Sequence, residues 1–170
     1  SLWDQLLKVG GPYGLKPAGL GARDTLRTEV CYPLYGPELD EQTTPIEAGL
    51  GFFVSLDKED FVGKSVLVDQ KQKGPAKKLV AFKMNDRSAP PRPGYPIWSS
   101  ENRSAPIGRV VSGTQSPSLG VGLGLGYVPP NLSRPQTSIA TEHPGQRAPA
   151  TQRPEPIYQK PPCPQFPLHV

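Results

Sequence analysis

Apolar residues recur at helical spacing from the first positions of the chain. Leu2, Trp3, Leu6 and Leu7 crowd one side of a predicted helix, and Gly10-Gly11-Pro12 stops it. The pattern is already under way at Ser1, which places the start of the chain inside a domain and predicts more polypeptide upstream. A second helix is predicted from Ala22 to Val30 and is closed by Pro33, with Arg23 and Arg27 one turn apart on a shared face. Thr44-Pro45-Ile46-Glu47 has the form of a capping box with proline at the first helical position, so a short helix should start there and end at Gly49 and Gly51.

From Gly51 the period changes. Phe52-Phe53-Val54-Ser55-Leu56 is aromatic and β-branched and reads as a strand, turned by Asp57-Lys58-Glu59-Asp60, with a short helix after Phe61. Residues 1–72 are therefore expected to form a mixed α and β region. A lysine-rich linker, Lys71 to Lys78, leads to four short apolar runs at Leu79–Lys83, Pro96–Ser99, Ile107–Ser112 and Leu123–Val128, separated by proline and glycine turns. Regular spacing of that kind predicts a small antiparallel barrel or sandwich over residues 76–160, and the fold class is α+β. Between Gln136 and Arg153 the only large aliphatic residue is Ile139. With so little apolar surface to offset chain ordering, the last pair of strands is expected to be weak and the barrel incompletely closed. Residues 161–170 read as a loose, proline-rich tail.

Composition narrows the picture without naming a function. A chain of 170 residues can bury a real core, but 23 prolines and 18 glycines make an all-helical bundle a poor solution. The net charge of +4 is spread over interspersed basic and acidic residues, unlike the concentrated basic field that nucleic acid binding requires. The one local cluster, Lys71, Lys73, Lys77 and Lys78, reads as a solvated linker or as a docking patch for an acidic partner. No apolar run approaches the roughly 20 residues a membrane helix needs. Cys31 and Cys163 stand alone, with no metal-ligand spacing and no disulfide framework around them, which fits a reducing compartment.

Several familiar chemistries fail on the residues. Gly120-Val121-Gly122-Leu123-Gly124-Leu125-Gly126 lacks the lysine and hydroxyl of a phosphate loop, and Val128-Pro129-Pro130 cannot open the helix that would hold a phosphate. Glycine alternating with aliphatic residues predicts instead a strand with one bare face that another group can approach closely. His143 and His169 are the only histidines, and no serine sits in a nucleophile elbow. Arg23, beside Asp24 and four residues before Arg27, is either part of a solvated helix with local ion pairs or a bidentate donor pointing into a cleft toward an anionic ligand.

Long runs carry a resemblance. Gly19-Leu20-Gly21-Ala22-Arg23-Asp24-Thr25-Leu26-Arg27, then Leu34-Tyr35-Gly36, Thr43 to Gly51 and Ser112 to Gly126, resemble in order the C-terminal half of the aminomethyltransferases, the T-proteins of the glycine cleavage system. The resemblance covers about Leu2 to Val128. It implies the remnant of a folate-binding domain over residues 1–72 followed by a C-terminal β-barrel. It further implies tetrahydrofolate as cofactor, the lipoylated H-protein as partner, no nucleic acid or membrane role, and residence in the cytoplasm or, in a eukaryote, the mitochondrial matrix. In that family the one-carbon unit of the aminomethyl group on the H-protein's dihydrolipoyl arm passes to tetrahydrofolate and ammonia is released. By this resemblance Arg23 matches a folate-contacting arginine. Tyr158 and Gln159, in Pro156-Ile157-Tyr158-Gln159-Lys160, fall in a motif that usually carries arginine where Gln159 stands. The family's catalytic aspartate lies in its N-terminal half and has no counterpart here, so no catalytic residue and no metal ligand is expected in this chain. Gln159 also motivates a different reading, a non-catalytic folate-binding or interaction module. A third is the C-terminal module of a folate-dependent dimethylglycine or sarcosine oxidoreductase.

Overall fold

A computed structural model describes residues 1–101, 104–143 and 145–159. The tail expected over residues 161–170, with Cys163 and His169, lies outside the described residues, as does Lys160. Three helices precede six strands. Helix α1 spans Leu2–Gly10 and runs into a tight helical turn over Gly11–Tyr13; α2 spans Leu20–Glu29 and α3 spans Lys64–Lys73. The strands are β1 (Lys78–Met84), β2 (Pro96–Ser99), β3 (Gly108–Gln115), β4 (Gly122–Val128), β5 (Ser138–His143) and β6 (Gln146–Arg153). They close into an antiparallel barrel in the order β1-β4-β3-β2-β5-β6.

The barrel is filled by alternate residues of its strands, as the two-residue period of a strand dictates. Val80, Phe82 and Met84 of β1 point inward and meet Ile97, Val110, Val128, Ile139 and two alanines of β6, Ala148 and Ala150. The glycines of β4 make this possible. Phe82 pairs with Gly124 in the ladder, and a Cβ built on Gly124 would stand 2.3 Å from the tip of the Phe82 ring. The bare strand face expected at Gly122, Gly124 and Gly126 is thus the space occupied by core side chains of neighbouring strands.

Closure of the barrel corrects the expectation of a weak final hairpin. Strands β5 and β6 pair through six register positions from Ser138↔Thr151 to His143↔Gln146, and β6 pairs in turn with β1. The inward positions of this hairpin are Ile139, Thr141, Ala148, Ala150 and Gln152, all buried. Small side chains suit them, because Phe82 and Met84 already fill the interior. Gln152 is held on three sides: its Nε2 donates to the Leu132 carbonyl at 2.8 Å, its N–H to the Thr137 carbonyl, and its carbonyl accepts from the Gln136 N–H. The Pro149 carbonyl accepts the Asn85 N–H just past the end of β1.

A second apolar cluster lies outside the barrel wall. Leu79 and Ala81 of β1 and Leu125 of β4, facing outward, pack with Cys31, Val111, Tyr127 and Ile157. The N-terminal region covers this face and contributes no strand of its own among the described residues, apart from one isolated bridge between Tyr35 and Leu39. The strand expected at Phe52–Leu56 is instead a tight helical turn over Gly51–Phe53 followed by irregular chain, with Phe52 and Phe53 exposed. A strand needs a neighbour to complete its ladder, and among the described residues none pairs with it. Nor does Thr44-Pro45-Ile46-Glu47 extend into a helix. Its reciprocal bonds form, Thr44 N–H to Glu47 at 3.0 Å and Glu47 N–H to Thr44 Oγ1 at 3.2 Å, yet a single turn follows. Gly49, at φ +75°, closes it at once: the Leu50 N–H reaches the Pro45 carbonyl and the Gly49 N–H the Ile46 carbonyl. Lys71 and Lys73 belong to α3, so the linker is shorter than expected. Lys77 leaves the lysine cluster too, lying 4.8 Å over the Tyr127 ring and donating to Thr43.

Candidate functional site at the helix and barrel junction

Helix α2 is fastened to the β3–β4 hairpin by polar contacts at three of its residues, Thr25, Arg27 and Glu29. Thr25 Oγ1 lies 3.1 Å from Thr114 Oγ1, Arg27 donates to Ser112 Oγ at 2.8 Å, and Ser116 Oγ donates to Glu29 at 2.5 Å. Ser112, Thr114 and Ser116 reach the same side because the strand is bulged. Val110 pairs with Gly126 on the interior side, and the register then shifts so that Ser112 pairs with outward-facing Leu125. The extra residue at Val111 turns every second position after it toward α2.

Arg27 is the centre of the first cluster, its side chain only 10% exposed. Its guanidinium bonds Asp24 through Nε, Glu38 at 2.7 Å and the Tyr32 carbonyl through Nη1, and Ser112 through Nη2. Glu38 is fully buried; its second contact is the Leu34 N–H at 2.9 Å, while its own carbonyl accepts from the Tyr127 hydroxyl. Burial, reinforced by the nearby charges of Glu47, Glu38 and Asp40, raises the Tyr127 hydroxyl above the ordinary tyrosine range. A planar fork on an always-charged group is what allows one side chain to join helix, loop and strand here.

Glu29 is the centre of the second cluster. Its buried carboxylate accepts from Ser116 Oγ, from the Ser118 N–H at 3.2 Å and from Ser118 Oγ at 2.9 Å, so both oxygens are used. Its main-chain carbonyl accepts the Tyr158 N–H at 3.0 Å. One residue therefore ties α2 to the hairpin and to the segment that leaves the barrel after β6.

Beside this junction lies an open hollow of about 370 Å³, walled by Val30, Tyr32, Pro33, Leu50, Phe53 and Pro156. Cys31 is at its floor, 5% exposed, and burial pushes its thiol up to about 12. Such a thiol stays protonated and unreactive at neutral pH.

The residues expected to contact a ligand are distributed around this junction. Arg23 is exposed, and its guanidinium has no side-chain partner among the described residues; it does not line the hollow. Although Arg23 and Arg27 are one turn apart, they do not share an environment, since Asp24 and Glu38 draw Arg27 inward. Tyr158 is half-buried and tied through its N–H to Glu29, six residues along α2 from Arg23, or about 9 Å of helix axis. Gln159 is exposed. Glu29, Glu38 and the serines at 112, 116 and 118 were not singled out by the sequence pattern. The one available signal was the run of hydroxyl residues from Ser112 to Ser118, which is too polar for an ordinary barrel strand and turn. Among the described residues no cluster of histidine, cysteine, aspartate or glutamate is arranged to hold a metal, and no helix is long and apolar enough to cross a membrane.

Comparison with known proteins matches the chain twice, in two consecutive pieces. Residues 1–58 match the profile of the GCVT N-terminal domain, and residues 77–159 that of the glycine cleavage T-protein C-terminal barrel domain. Aminomethyltransferases of Bacillus mycoides and Bacillus cereus are each 46% identical to it over 160 residues, which is 94% of this chain and 43% of theirs. The crystal structure of glycine cleavage system aminomethyltransferase T from Bartonella henselae is similar with a TM-score of 0.82 and 32% identity, over 92% of this chain and 43% of that one. The chain thus spans under half the length of the relatives it matches.

Proposed function

Because the chain belongs to the aminomethyltransferase family of glycine cleavage T-proteins, we propose that it supplies the barrel-bearing side of a one-carbon transfer site. The reaction moves the methylene carbon of an aminomethyl group from the dihydrolipoyl sulfur of the H-protein to tetrahydrofolate. Two bonds of that carbon, to sulfur and to the amino nitrogen, are exchanged for bonds to two folate nitrogens, and ammonia leaves without net oxidation.

The observation that supports this reading is the intact junction of α2 with the barrel, in a chain 46% identical to aminomethyltransferases over nearly all its length. Within it, Arg23 is the group suited to folate. Its guanidinium is exposed, has no side-chain partner among the described residues, and carries a permanent charge that matches the carboxylates of the folate glutamyl tail. Tyr158, whose N–H is held by the Glu29 carbonyl, adds a ring and a hydroxyl near the end of α2. Gln159, without a charge, provides a weaker contact than the arginine usual at that place in the family. No residue of this chain takes the role of the family's catalytic aspartate, whose task is preorganised electrostatic stabilisation of developing positive charge. The chain by itself is therefore expected not to turn over.

Joining this chain to the leading portion of the Bacillus mycoides relative tests the reading. Methylene-tetrahydrofolate formation from aminomethylated H-protein is expected, and Arg23→Ala should weaken tetrahydrofolate binding about tenfold, about 1.4 kcal/mol, without moving the unfolding midpoint. Unchanged folate affinity in Arg23→Ala would remove Arg23 from the site. Folate binding without transfer by the joined protein would favour a non-catalytic folate module, the reading that Gln159 motivates.

A further inference from the structure

A groove opens where two barrel strands part. Strand β6 pairs with β1 only from Ala81↔Arg153 onward, so the β1 edge from Lys78 to Val80 faces no strand on that side. The turn over residues 44–49 comes up to this edge and is fixed there, because the Leu79 N–H donates to the Glu47 carbonyl at 2.8 Å. The opening that remains is a hollow of about 310 Å³ with Lys78, Ser133, Gln152, Arg153 and Glu155 in its wall. It meets the apolar hollow floored by Cys31 at two shared residues, Gly49 and Glu155. One half of the groove is thus polar and charged and the other apolar, with Glu155, the one carboxylate in either wall, at the divide. We propose that this groove binds a free α-amino acid with an apolar side chain, its ammonium at Glu155 and its carboxylate at Lys78 and Arg153.

The charges around the divide are close but not joined. Among the described residues the side chains of Glu155, Lys78 and Arg153 have no hydrogen-bond or ion-pair partner. Glu155 is open to solvent at its surface, yet the groove crowds it enough that burial raises its carboxyl above the ordinary glutamate range, and the charge of Lys78 draws it part of the way back. A carboxylate and an ammonium that act on each other without touching leave room for a ligand carrying the same two charges in reverse order. A zwitterion does so, and the planar fork of Arg153 suits its carboxylate. Gln152 is an independent mark of the same hollow. It is 1% exposed, its Nε2 is held by the Leu132 carbonyl, and its Oε1 has no partner among the described residues, although Lys78 and Arg153 stand in the same wall. A buried acceptor without a donor is costly, and an ammonium has three protons to place.

The ligand's side chain lies along Val30, Tyr32, Leu50 and Phe53, in a hollow of about 370 Å³ that admits a benzyl group. Tyr32 and Phe53 are 68% and 79% exposed, so both present apolar surface on which a ring can rest. Simpler occupants match less of the groove. A lone anion meets the Glu155 carboxylate, an alkylamine leaves Lys78 and Arg153 without a counter-charge, and an amino acid with no side chain leaves the apolar half in water.

The test titrates L-phenylalanine into the full 170-residue chain, read by calorimetry and by NMR of labelled methyl groups. Saturable binding is expected, with nuclear Overhauser contacts from the ligand ring to the methyls of Val30 and Leu50. Glu155→Gln and Lys78→Gln should each weaken binding about tenfold and leave the unfolding midpoint in place. Phenethylamine, 3-phenylpropionate and glycine each lack one of the three recognised groups and should also bind about tenfold more weakly, or less. Three results overturn the proposal: no saturation by L-phenylalanine, affinity unchanged in both charge variants, or ring contacts elsewhere on the molecule. Phenethylamine or 3-phenylpropionate binding as tightly as L-phenylalanine overturns it as well, since the two charges would then not act together. Arg23 lines neither hollow, so the folate reading and this one fail separately. Folate binding without L-phenylalanine binding defeats the groove alone, and the converse defeats the folate assignment alone.

Discussion

Ser116 Oγ lies 2.5 Å from the Glu29 carboxylate, 87 residues away in sequence, and both side chains are withdrawn from solvent. This contact holds the end of α2 against the turn between β3 and β4, at the point where the chain leaving the barrel also docks. Glu29→Ala would leave the buried Ser116 hydroxyl without its acceptor and release the exposed Ser118, and a buried donor without a partner is costly. A loss of about 3 kcal/mol is expected, read as a lower midpoint in denaturant with an unchanged slope. Glu29→Gln keeps the shape but gives up the charge and one of the two acceptor oxygens, and should lose about half as much.

Arg27 makes a different prediction, because it pairs with a fully buried carboxylate. Arg27→Ala exposes Glu38 as an unpaired buried charge, for an expected cost of about 3–5 kcal/mol. Arg27→Lys retains the charge and loses the fork, so one or two of the contacts to Asp24, Glu38 and Ser112 must break. Thermal unfolding should rank the three proteins with wild type first, Lys second and Ala last.

Gly124 faces the Phe82 ring with no room for a methyl group. Gly124→Ala should destabilise the barrel by about 1–3 kcal/mol through displacement of that ring. The double variant Gly124→Ala with Phe82→Leu should recover part of the loss, and an additive result in a double-mutant cycle would argue against this contact as the cause.

Cys31 provides a pH prediction. Its thiol is raised from 9.0 to about 12 by burial, so in the interval between those values the folded chain holds a proton that the unfolded chain has released. Stability from this group is complete below about pH 9 and is lost as pH rises toward 12. Tyr127, also raised by burial, adds to the same alkaline loss. Denaturant midpoints between pH 8 and 11 should fall less steeply in Cys31→Ala than in wild type. In a Cys163→Ser background, modification of Cys31 by a disulfide reagent at pH 8 should be slow when folded and fast in denaturant.

Much of the architecture was legible along the chain because it depends on local rules. Gly10 and Pro33 mark where α1 and α2 stop, since neither residue type continues a helix well. The spacing of short apolar runs announced the barrel strands, and the bare face of Gly122, Gly124 and Gly126 signalled close approach before Phe82 could be identified as the group that approaches. The reciprocal bonds of Thr44 and Glu47 formed as their spacing required, although Gly49 ended the turn too soon for a helix.

Other features depended on neighbours that no local pattern specifies. The final hairpin looked too polar to fold because Ile139 is its only large aliphatic residue; it closes the barrel because the interior was already filled by Phe82 and Met84, leaving places suited to alanine and threonine. Phe52 to Leu56 has strand composition but no strand beside it. Arg23 and Arg27 stand one turn apart on the helix, and only the placement of Asp24, Glu38 and a bulged strand decides that Arg27 is drawn in while Arg23 has no side-chain partner among the described residues. Local sequence sets the period, the stops and the caps through backbone sterics and hydrogen bonding within a few residues. Which side chains become buried, paired or available is settled by contacts across 80 residues or more, such as Glu29 with Ser116 and Arg27 with Ser112, and these exist only once the barrel wall is in place.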